Sequence, residues 1–182
     1  MLIRPADTDT GDDAAACAAI YEPFVNHSAV SFELVPPDRA ELYRRIEQNS
    51  ASHAWLVAQD DGQVAGFAYG GPHRARAAYR WATEVSVYVH PEHHRRGVGR
   101  ALYGELLPLL ARHGLHVALA GITLPNPASV ALHEGIGFQP VGVYRRVGWK
   151  AGAWHDVAWW QLELVPAGTG APPEPGPPVS PD

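Results

Sequence analysis

Apolar and polar positions alternate along the chain with two periods, which predict seven strands and four helices. Strands are predicted at 2–6, 55–58, 64–69, 85–89, 116–122, 141–149 and 157–164. Helices are predicted at 14–21, 36–48, 97–112 and 128–134. Residues 30–32 are expected to form a short extended piece.

Turn and breaker residues indicate where these elements end. Pro23 is expected to bend or end the first helix, because proline has no N–H to donate. Asp60-Asp61-Gly62 is typical of a hairpin turn, so the strands on either side of it are predicted to pair antiparallel. Gly70-Gly71-Pro72 is expected to break the second of these strands, and residues 150–156 to form the loop between the last two strands.

The composition changes after Val165. Residues 166–182 are rich in proline and glycine and keep no apolar periodicity. We therefore expect a single domain of residues 1–165 followed by a disordered tail, 166–182. The chain has neither a leader-like start nor a membrane-length run of about 18 apolar residues, so we expect a cytoplasmic protein with no membrane partner.

Charge and cysteine content argue against several classes of protein. The formal net charge is −5, from 19 Asp and Glu against 14 Lys and Arg, which does not suit a general nucleic-acid-binding protein. Cys17 is the single cysteine, so an intrachain disulfide is excluded and a buried, inert thiol is expected. The 10 histidines show no zinc-like spacing with a third ligand. His93 and His94 are interpreted as part of a solvated loop, and no metal is expected.

The stretch 82–110 has the clearest functional signal. A strand ends at His90-Pro91, and a segment rich in glycine and arginine then stands where an amphipathic helix begins. The first N–H groups of a helix lack partners within it and favour an anion, and arginines add positive charge beside them. This pattern indicates a pyrophosphate site, although two glycines at a helix start are also typical of a tight turn. The residues of the predicted site are Arg95, Arg96, Gly97, Val98, Gly99 and Arg100.

The segment His94-Arg95-Arg96-Gly97-Val98-Gly99 resembles the cofactor loop Q/R-x-x-G-x-G/A of the GNAT superfamily of acyl-CoA N-acyltransferases. His94 departs from the usual Gln or Arg but leaves the backbone cradle intact. The resemblance implies an α/β (α+β) GNAT fold, with a mixed central sheet flanked by helices, and acetyl-CoA as co-substrate. It also implies that the N–H groups of Val87, Tyr88 and Val89 run along the pantetheine arm and that Asn126 contacts the cofactor.

Further segments resemble the phosphinothricin acetyltransferase branch of this superfamily, and they are found at 71–84, 124–126, 132–134 and 154–157. Acetyl transfer to an amine needs a base nearby, and Glu84 precedes the apolar run of the central strand by one residue. From its spacing alone, Glu84 is also typical of a strand-entry glutamate in contact with water. The resemblance implies that Glu84 is the catalytic base.

Arginine binds carboxylate and phosphinate groups through paired N–H donors. The resemblance implies that Arg74, Arg76 and Tyr79 hold an acidic amino acid substrate, although these residues alone are more typical of a solvated basic loop. Phe32 could cover the aliphatic part of the substrate or lie in the core. His133 is matched by a histidine in the phosphinothricin branch. It could protonate the leaving thiolate, tune Glu84, act as a second base or be structural.

Two kinds of function follow from these patterns. The first is N-acetylation of a small amino acid analogue, of the phosphinothricin, methionine sulfoximine or methionine sulfone type, by direct attack with Glu84 as general base. Another small amine or a protein N-terminus is the close alternative. The second is a catalytically silent CoA-binding or interaction module. A homodimer is expected by resemblance and from Trp149, Trp154, Trp159 and Trp160, which could equally fill the core of a monomer.

Overall fold

Seven strands form one mixed sheet within residues 1–176, the part of the chain that this computed structural model describes. The strands are β1 (Leu2–Pro5), β2 (Trp55–Asp60), β3 (Gln63–Pro72), β4 (Ala82–Val89), β5 (Val117–Thr123), β6 (Gln139–Lys150) and β7 (Ala153–Glu163). Their order in the sheet is β1-β2-β3-β4-β5-β7-β6. The helices are α1 (Asp12–Asn26), α2 (Arg39–Ser50), α3 (Val98–Arg112) and α4 (Pro127–Ile136). None of these helices is long and apolar enough to cross a membrane.

The two central strands, β4 and β5, are parallel, whereas the other neighbouring strands of the described sheet pair antiparallel. A parallel pair needs a crossover connection, and α3 supplies it. The ladder between β4 and β5 runs only from Ala82↔Val117 to Glu84↔Leu119. Beyond that point β4 and β5 no longer pair with each other, although β4 still pairs with β3 and β5 with β7. The second half of β4 therefore borders a gap in the middle of the sheet.

Each face of the sheet is covered by two helices. Successive residues of a strand point to opposite faces, and this alternation separates two apolar clusters. Trp55 and Phe67 pack with α1 and α2 on one face. Leu56 and Ala68, one residue along each strand, belong to the cluster that contains α3 and against which α4 packs.

The first helix does not end at Pro23, as the sequence had suggested it could. α1 runs to Asn26 and buries Val25 beside Tyr21, while the proline removes only the hydrogen bond that its own nitrogen would have donated. Cys17 of this helix is buried, as predicted, and burial raises the pKa of its thiol to about 12. The loop that follows α1 contains residues 30–32, which are not part of a strand.

The predicted break at Gly70-Gly71-Pro72 is also wrong, because β3 continues to Pro72. A Cβ on Gly70 would lie 2.9 Å from Leu110 Cδ2, so this glycine lets α3 pack closely on the sheet and does not form a turn. The predicted loop 150–156 is shorter than expected. β6 and β7 are joined by Ala151 and Gly152, whose φ values of 50° and 75° suit a two-residue hairpin turn.

The C-terminal segment contacts the rest of the protein at residues 173–176. Trp81 Nε1 donates to Pro173 O at 2.8 Å, and Arg80 pairs with Glu174 at 2.5 Å. The Gly176 N–H donates to the carbonyl of His113 at 2.9 Å. These contacts involve residues 173–176 of the tail that was expected to be disordered, and its last part, 177–182, lies outside the described residues.

Candidate active site

Two cavities adjoin where β4 and β5 stop pairing. The narrow cavity, of about 60 Å³, has Tyr103, Asn126 and His133 in its wall. The wide cavity, of about 330 Å³, has Phe32 and Glu84 in its wall. The residues common to both walls are Val30, Val85, Ser86, Gly121 and Thr123. The gap in the sheet thus connects the α3 and α4 side of the protein with the surroundings of Glu84.

The backbone of β4 directs N–H groups of alternate residues into this gap. His90 N donates to Ala65 O on the β3 side at 2.9 Å. Because N–H groups two residues apart point the same way along a strand, the N–H of Tyr88 also points toward β3. The N–H groups of Val87 and Val89 point the other way, where β5 no longer pairs. Tyr88 is therefore removed from the predicted set of backbone donors, and Val87 and Val89 stay in it.

The helix α3 begins without a side-chain cap. Its N-cap residue is Gly97, in the left-handed region at φ 81° and ψ 3°. The first intrahelical bond is donated by Ala101 N to Gly97 O, so the N–H groups of the first turn have no partner inside the helix. A Cβ on Gly97 would meet no atom within 4 Å. The exposed Arg95 and Arg96 precede this open helix end.

Three side-chain positions of the predicted pyrophosphate segment serve packing. Arg100 donates from NH1 to Gly135 O at 3.3 Å, which draws its guanidinium toward α4. A Cβ on Gly99 would lie 3.0 Å from Leu132 Cδ2, so glycine allows α3 and α4 to approach closely. Val98 is buried in the core. The backbone N–H groups of these three residues belong to the first turn of α3. The Arg100 side chain is exposed, so its predicted cofactor contact stays a prediction.

His94 fastens the same loop to the end of β4. Its Nε2–H donates to Val89 O at 3.0 Å. The histidine that departs from the GNAT motif therefore holds a backbone carbonyl. No pattern of side chains along the sequence reveals this role, because the acceptor belongs to the main chain.

Glu84 lies at the last register pair between β4 and β5. Its Oε1 accepts two hydrogen bonds, from His73 Nδ1 at 2.7 Å and from Arg74 NH1 at 3.0 Å. The side chain is 37% exposed and forms part of the wall of the wide cavity. The predicted base is therefore partly accessible from the cavity and is held through one of its two oxygens.

The loop between β3 and β4 carries the other predicted substrate residues. Arg74, Arg76 and Tyr79 are exposed on it, and none of the three forms the wall of the wide cavity. Arg74 reaches the cavity through its contact with Glu84. Tyr79 is connected to Glu84 through His73, because the ring of Tyr79 lies edge-on to that of His73 at 5.6 Å. The structure thus brings Arg74 to the predicted base and leaves Arg76 facing solvent.

Phe32 lies in the loop between α1 and α2 and forms part of the wall of the wide cavity. Its ring packs on the backbone of Gly148 in β6, where any Cβ would clash with it. Lys150, which is 8% exposed, donates from Nζ to the carbonyls of Val25 and Ser31 at 2.7 Å each. The sequence pattern around this lysine does not indicate its role. It ties the loop that carries Phe32 to the end of β6.

A bulge in β6 adds Tyr144 and Val147 to the same wall. The carboxylate of Asp156 holds the bulge, because it accepts hydrogen bonds from Arg146 N and Arg145 NH1 at 2.8 Å each. Both hydrogen bonds lower the pKa of Asp156, and the bond from the Arg146 backbone has the larger effect. Asp156 is thus a residue of the cavity architecture that sequence reasoning did not single out.

His133 is buried on α4 in the wall of the narrow cavity. Its Nδ1–H donates to Ser129 O at 2.8 Å, which leaves Nε2 to accept from the hydroxyl of Tyr103 at 3.1 Å. Burial lowers the pKa of His133 and so favours this neutral form. The two predicted catalytic residues, Glu84 and His133, therefore line different cavities.

Asn126 is the N-cap of α4, where its Oδ1 accepts from Ser129 N at 3.1 Å. The cap uses the oxygen, so the amide nitrogen is a donor for the narrow cavity that this residue lines. Over residues 1–176, no group of three or more His, Cys, Asp or Glu side chains is arranged to hold a metal ion.

Comparison with known proteins gives consistent matches. The profile of the Acetyltransferase (GNAT) family matches residues 20–138. The phosphinothricin N-acetyltransferase of Streptomyces viridochromogenes is 41% identical over 179 residues, which cover 98% of this chain and 94% of that protein. The L-methionine sulfoximine/L-methionine sulfone acetyltransferase of Salmonella typhimurium is 37% identical over 157 residues, covering 84% and 91%.

The fold has close counterparts among solved structures. A Salmonella typhimurium protein described as a putative acetyltransferase, solved with its cofactor acetyl-CoA, superimposes with a TM-score of 0.88. It is 35% identical, and the match covers 94% of this chain and 97% of that one. The fold predicted from the sequence is confirmed.

Proposed function

Because the chain belongs to the GNAT acetyltransferase family, we propose that it transfers the acetyl group of acetyl-CoA to the amino group of a small amino acid analogue. The proposed substrates are of the phosphinothricin, methionine sulfoximine or methionine sulfone type, on which the named relatives act. The observation that carries the proposal is the wide cavity, where the Glu84 carboxylate and the Arg74 guanidinium meet beside the gap in the sheet.

The residues around the gap suit acetyl-CoA. The uncapped first turn of α3, with Arg95 and Arg96 before it, offers backbone donors and positive charge to a pyrophosphate. The N–H groups of Val87 and Val89 would hold the pantetheine arm, and the amide nitrogen of Asn126 would donate to it from the narrow cavity. Acetyl-CoA supplies an activated acyl group as a thioester.

An amino acid presents a carboxylate, and the exposed guanidinium groups of Arg74 and Arg76 could bind it with paired N–H donors. Tyr79 would form one side of the entrance, and Phe32 would cover the aliphatic part of the substrate within the wide cavity. The substrate amine would then lie beside Glu84, at the opening toward the thioester.

Glu84 is proposed as the general base of a direct attack. Most amines are protonated at neutral pH, so a proton must leave the nitrogen before or while it attacks the thioester carbonyl. Oε1 of Glu84 is engaged by His73 and Arg74, and Oε2 is the oxygen proposed to take this proton. A carboxylate in the wall of the cavity is well situated for that transfer.

His133 is proposed to act through Tyr103 and not as the first acceptor of the amine proton. Both of its ring nitrogens are engaged, one by Ser129 O and one by the Tyr103 hydroxyl. In this arrangement the Tyr103 hydroxyl donates to His133, so it would have to turn away from Nε2 to give a proton to the leaving thiolate in the narrow cavity. The amine would then lose its proton in the wide cavity, and the thiolate would gain one in the narrow cavity.

The test is a screen of the purified protein with acetyl-CoA and a set of amines, following thiol release. Phosphinothricin, methionine sulfoximine and methionine sulfone should be acetylated, and matched amines that lack the carboxylate should have a much higher KM. Preference for peptides with a free N-terminus would identify the alternative substrate class. Binding of acetyl-CoA without acetylation of any amine would instead identify a silent CoA-binding module.

We also propose that the protein forms a homodimer through β6. This edge strand of the described sheet exposes Val141, Val147 and Trp149, and the ring of Trp154 lies 5.4 Å from that of Trp149. A second copy would cover this apolar edge. Light scattering should then give twice the chain mass of 19.7 kDa, and a monomeric mass would contradict the proposal. The cytoplasmic location stays a prediction.

A further inference from the structure

His73 is held against Glu84 more firmly than Arg74 is. The side chain of His73 is 14% exposed, against 45% for that of Arg74. The imidazole lies edge-on to the rings of Tyr79 and Trp159, at centroid distances of 5.6 and 6.0 Å. Two aromatic rings therefore restrict its orientation, with Nδ1 at 2.7 Å from Glu84 Oε1.

The sheet register accounts for this contact. Gly71 on β3 lies opposite Glu84 on β4. Side chains two residues apart share a face of the sheet, so His73 is the diagonal neighbour of Glu84 on that face. β3 ends at Pro72, which lets the His73 side chain turn toward the carboxylate.

A bound substrate would affect the two donors to Oε1 differently. Arg74 is the exposed one, and an N–H that binds a substrate carboxylate is no longer available to the base. His73 has no competing partner of that kind, because the rings of Tyr79 and Trp159 hold it in place. It can therefore keep the carboxylate oriented when Arg74 turns away.

We propose that His73 is the positioning residue of the catalytic carboxylate, a role that rests on the acetyl transfer proposed above. Its Nδ1–H holds Oε1, so that Oε2 faces the amine. As the N–C bond forms and the C–S bond breaks, the amine proton moves to Oε2 of Glu84, and His73 keeps its own proton. The departing thiolate would take its proton from the Tyr103 hydroxyl, as proposed above, and the tyrosine would regain one from solvent.

Two substitutions separate positioning from packing. His73→Phe keeps an aromatic ring against Tyr79 and Trp159 but removes the N–H donor. His73→Asn loses the ring but keeps an N–H at nearly the place of Nδ1. If His73 positions Glu84, the Phe variant should lose kcat by about 10- to 100-fold with little change in KM for acetyl-CoA, because a displaced base is inefficient. The Asn variant should recover much of this loss.

A His73→Phe variant that is more active than the His73→Asn variant would overturn the proposal. If the Phe variant stays active while the Asn variant loses activity and thermal stability together, His73 serves only to pack the loop. Equal activity of both variants and the wild type would also refute a positioning role. In each of these cases the wild-type acetylation of the amine remains, so the proposed function stands although the inference fails.

A second measurement does not depend on turnover. Nitrogen-15 NMR of the imidazole should detect an Nδ1–H donor at His73 that is hydrogen-bonded in the wild type and shifts strongly in Glu84→Ala. An Nδ1 resonance that does not respond to the loss of Glu84 would refute the proposal, whatever amine the enzyme accepts. If the wild type acetylates no amine although this resonance still responds to Glu84→Ala, the proposed function fails and only the hydrogen bond between His73 and Glu84 remains.

Discussion

Lys150 donates from Nζ to the carbonyl oxygen of Ser31 at 2.7 Å, across 119 positions of the sequence. A second bond of the same length joins Nζ to Val25 O. The ammonium group is buried, and burial lowers its pKa. This single lysine thus fixes both ends of the segment that leads from α1 to Phe32, in the wall of the wide cavity.

Replacing Lys150 with Met should release this segment. The two carbonyls would lose their donor, at a cost of about 1–3 kcal/mol of unfolding free energy, and KM for the amine should rise more than KM for acetyl-CoA. Thermal unfolding and steady-state kinetics check both effects. Arg112→Met, at an exposed cation in the last turn of α3, is the control. A Lys150→Met enzyme with wild-type kinetics and stability would show that the loop holds without the ammonium group.

Gly97→Asp should weaken acetyl-CoA binding by about tenfold or more, because it adds a negative charge at a helix N-terminus where the pyrophosphate must approach. Calorimetry measures the dissociation constant. Gly97→Asn has nearly the same shape and tolerates the left-handed conformation, so the difference between the two variants reports the charge. Gly104→Asp, also open to solvent on the same helix, should leave binding unaltered. Equal affinity of Gly97→Asp and wild type would rule out this cofactor placement.

Arg76→Ala should raise KM for an amino acid substrate by about 10- to 100-fold and change kcat less, because a carboxylate clamp acts in the ground state and the transition state alike. Affinity for acetyl-CoA should not change. Arg80→Ala is the matched control, since this arginine of the same segment pairs with Glu174. If the Arg76 variant loses acetyl-CoA binding and keeps its substrate KM, the arginine belongs to the cofactor half of the site.

Glu84→Gln should lower kcat by about 10²–10⁴-fold with modest change in substrate binding, because it keeps the size of the side chain and removes its basicity. The defect should shrink as the pH approaches the pKa of the substrate amine, since solution then supplies neutral amine. A pH–rate profile of the variant against the wild type measures this.

The comparison variant for Glu84 is His133→Ala, which should cost less activity at pH 7. A Glu84→Gln enzyme with near-normal kcat, together with an inactive His133→Ala enzyme, would make the histidine the base. A loss in Glu84→Gln that does not vary with pH would instead indicate a structural role for the carboxylate.

The tail prediction is tested by two truncations. Removing residues 173–182 should lower Tm by several degrees, because the bonds from Trp81 and Gly176 contribute about 1 kcal/mol each and a chain of this size loses about 2–4 °C per kcal/mol. Removing only residues 177–182 should leave Tm unchanged. Equal Tm values for the two truncated proteins would show that the contacts at 173–176 add no stability.

Local features of the chain were predictable because neighbouring residues determine them. The hairpin between β2 and β3 follows from Asp60-Asp61-Gly62, and the uncapped start of α3 from Gly97 after two arginines. The apolar periodicity was sufficient to predict the succession of strands and helices along the chain. The resemblance to GNAT enzymes then indicated which residues lie near the gap.

The sequence by itself therefore determined the elements, the glycine-arginine helix start and the candidate base. Only the tertiary structure decided which side chains meet, because register and packing join residues far apart in the chain. The β3–β4 register brings His73 to Glu84. The approach of α3 to α4 brings Arg100 to the carbonyl of Gly135. The end of β6 places Lys150 within hydrogen-bonding distance of the carbonyl of Ser31. Each partner is chosen by distance in the fold, which a linear pattern does not encode.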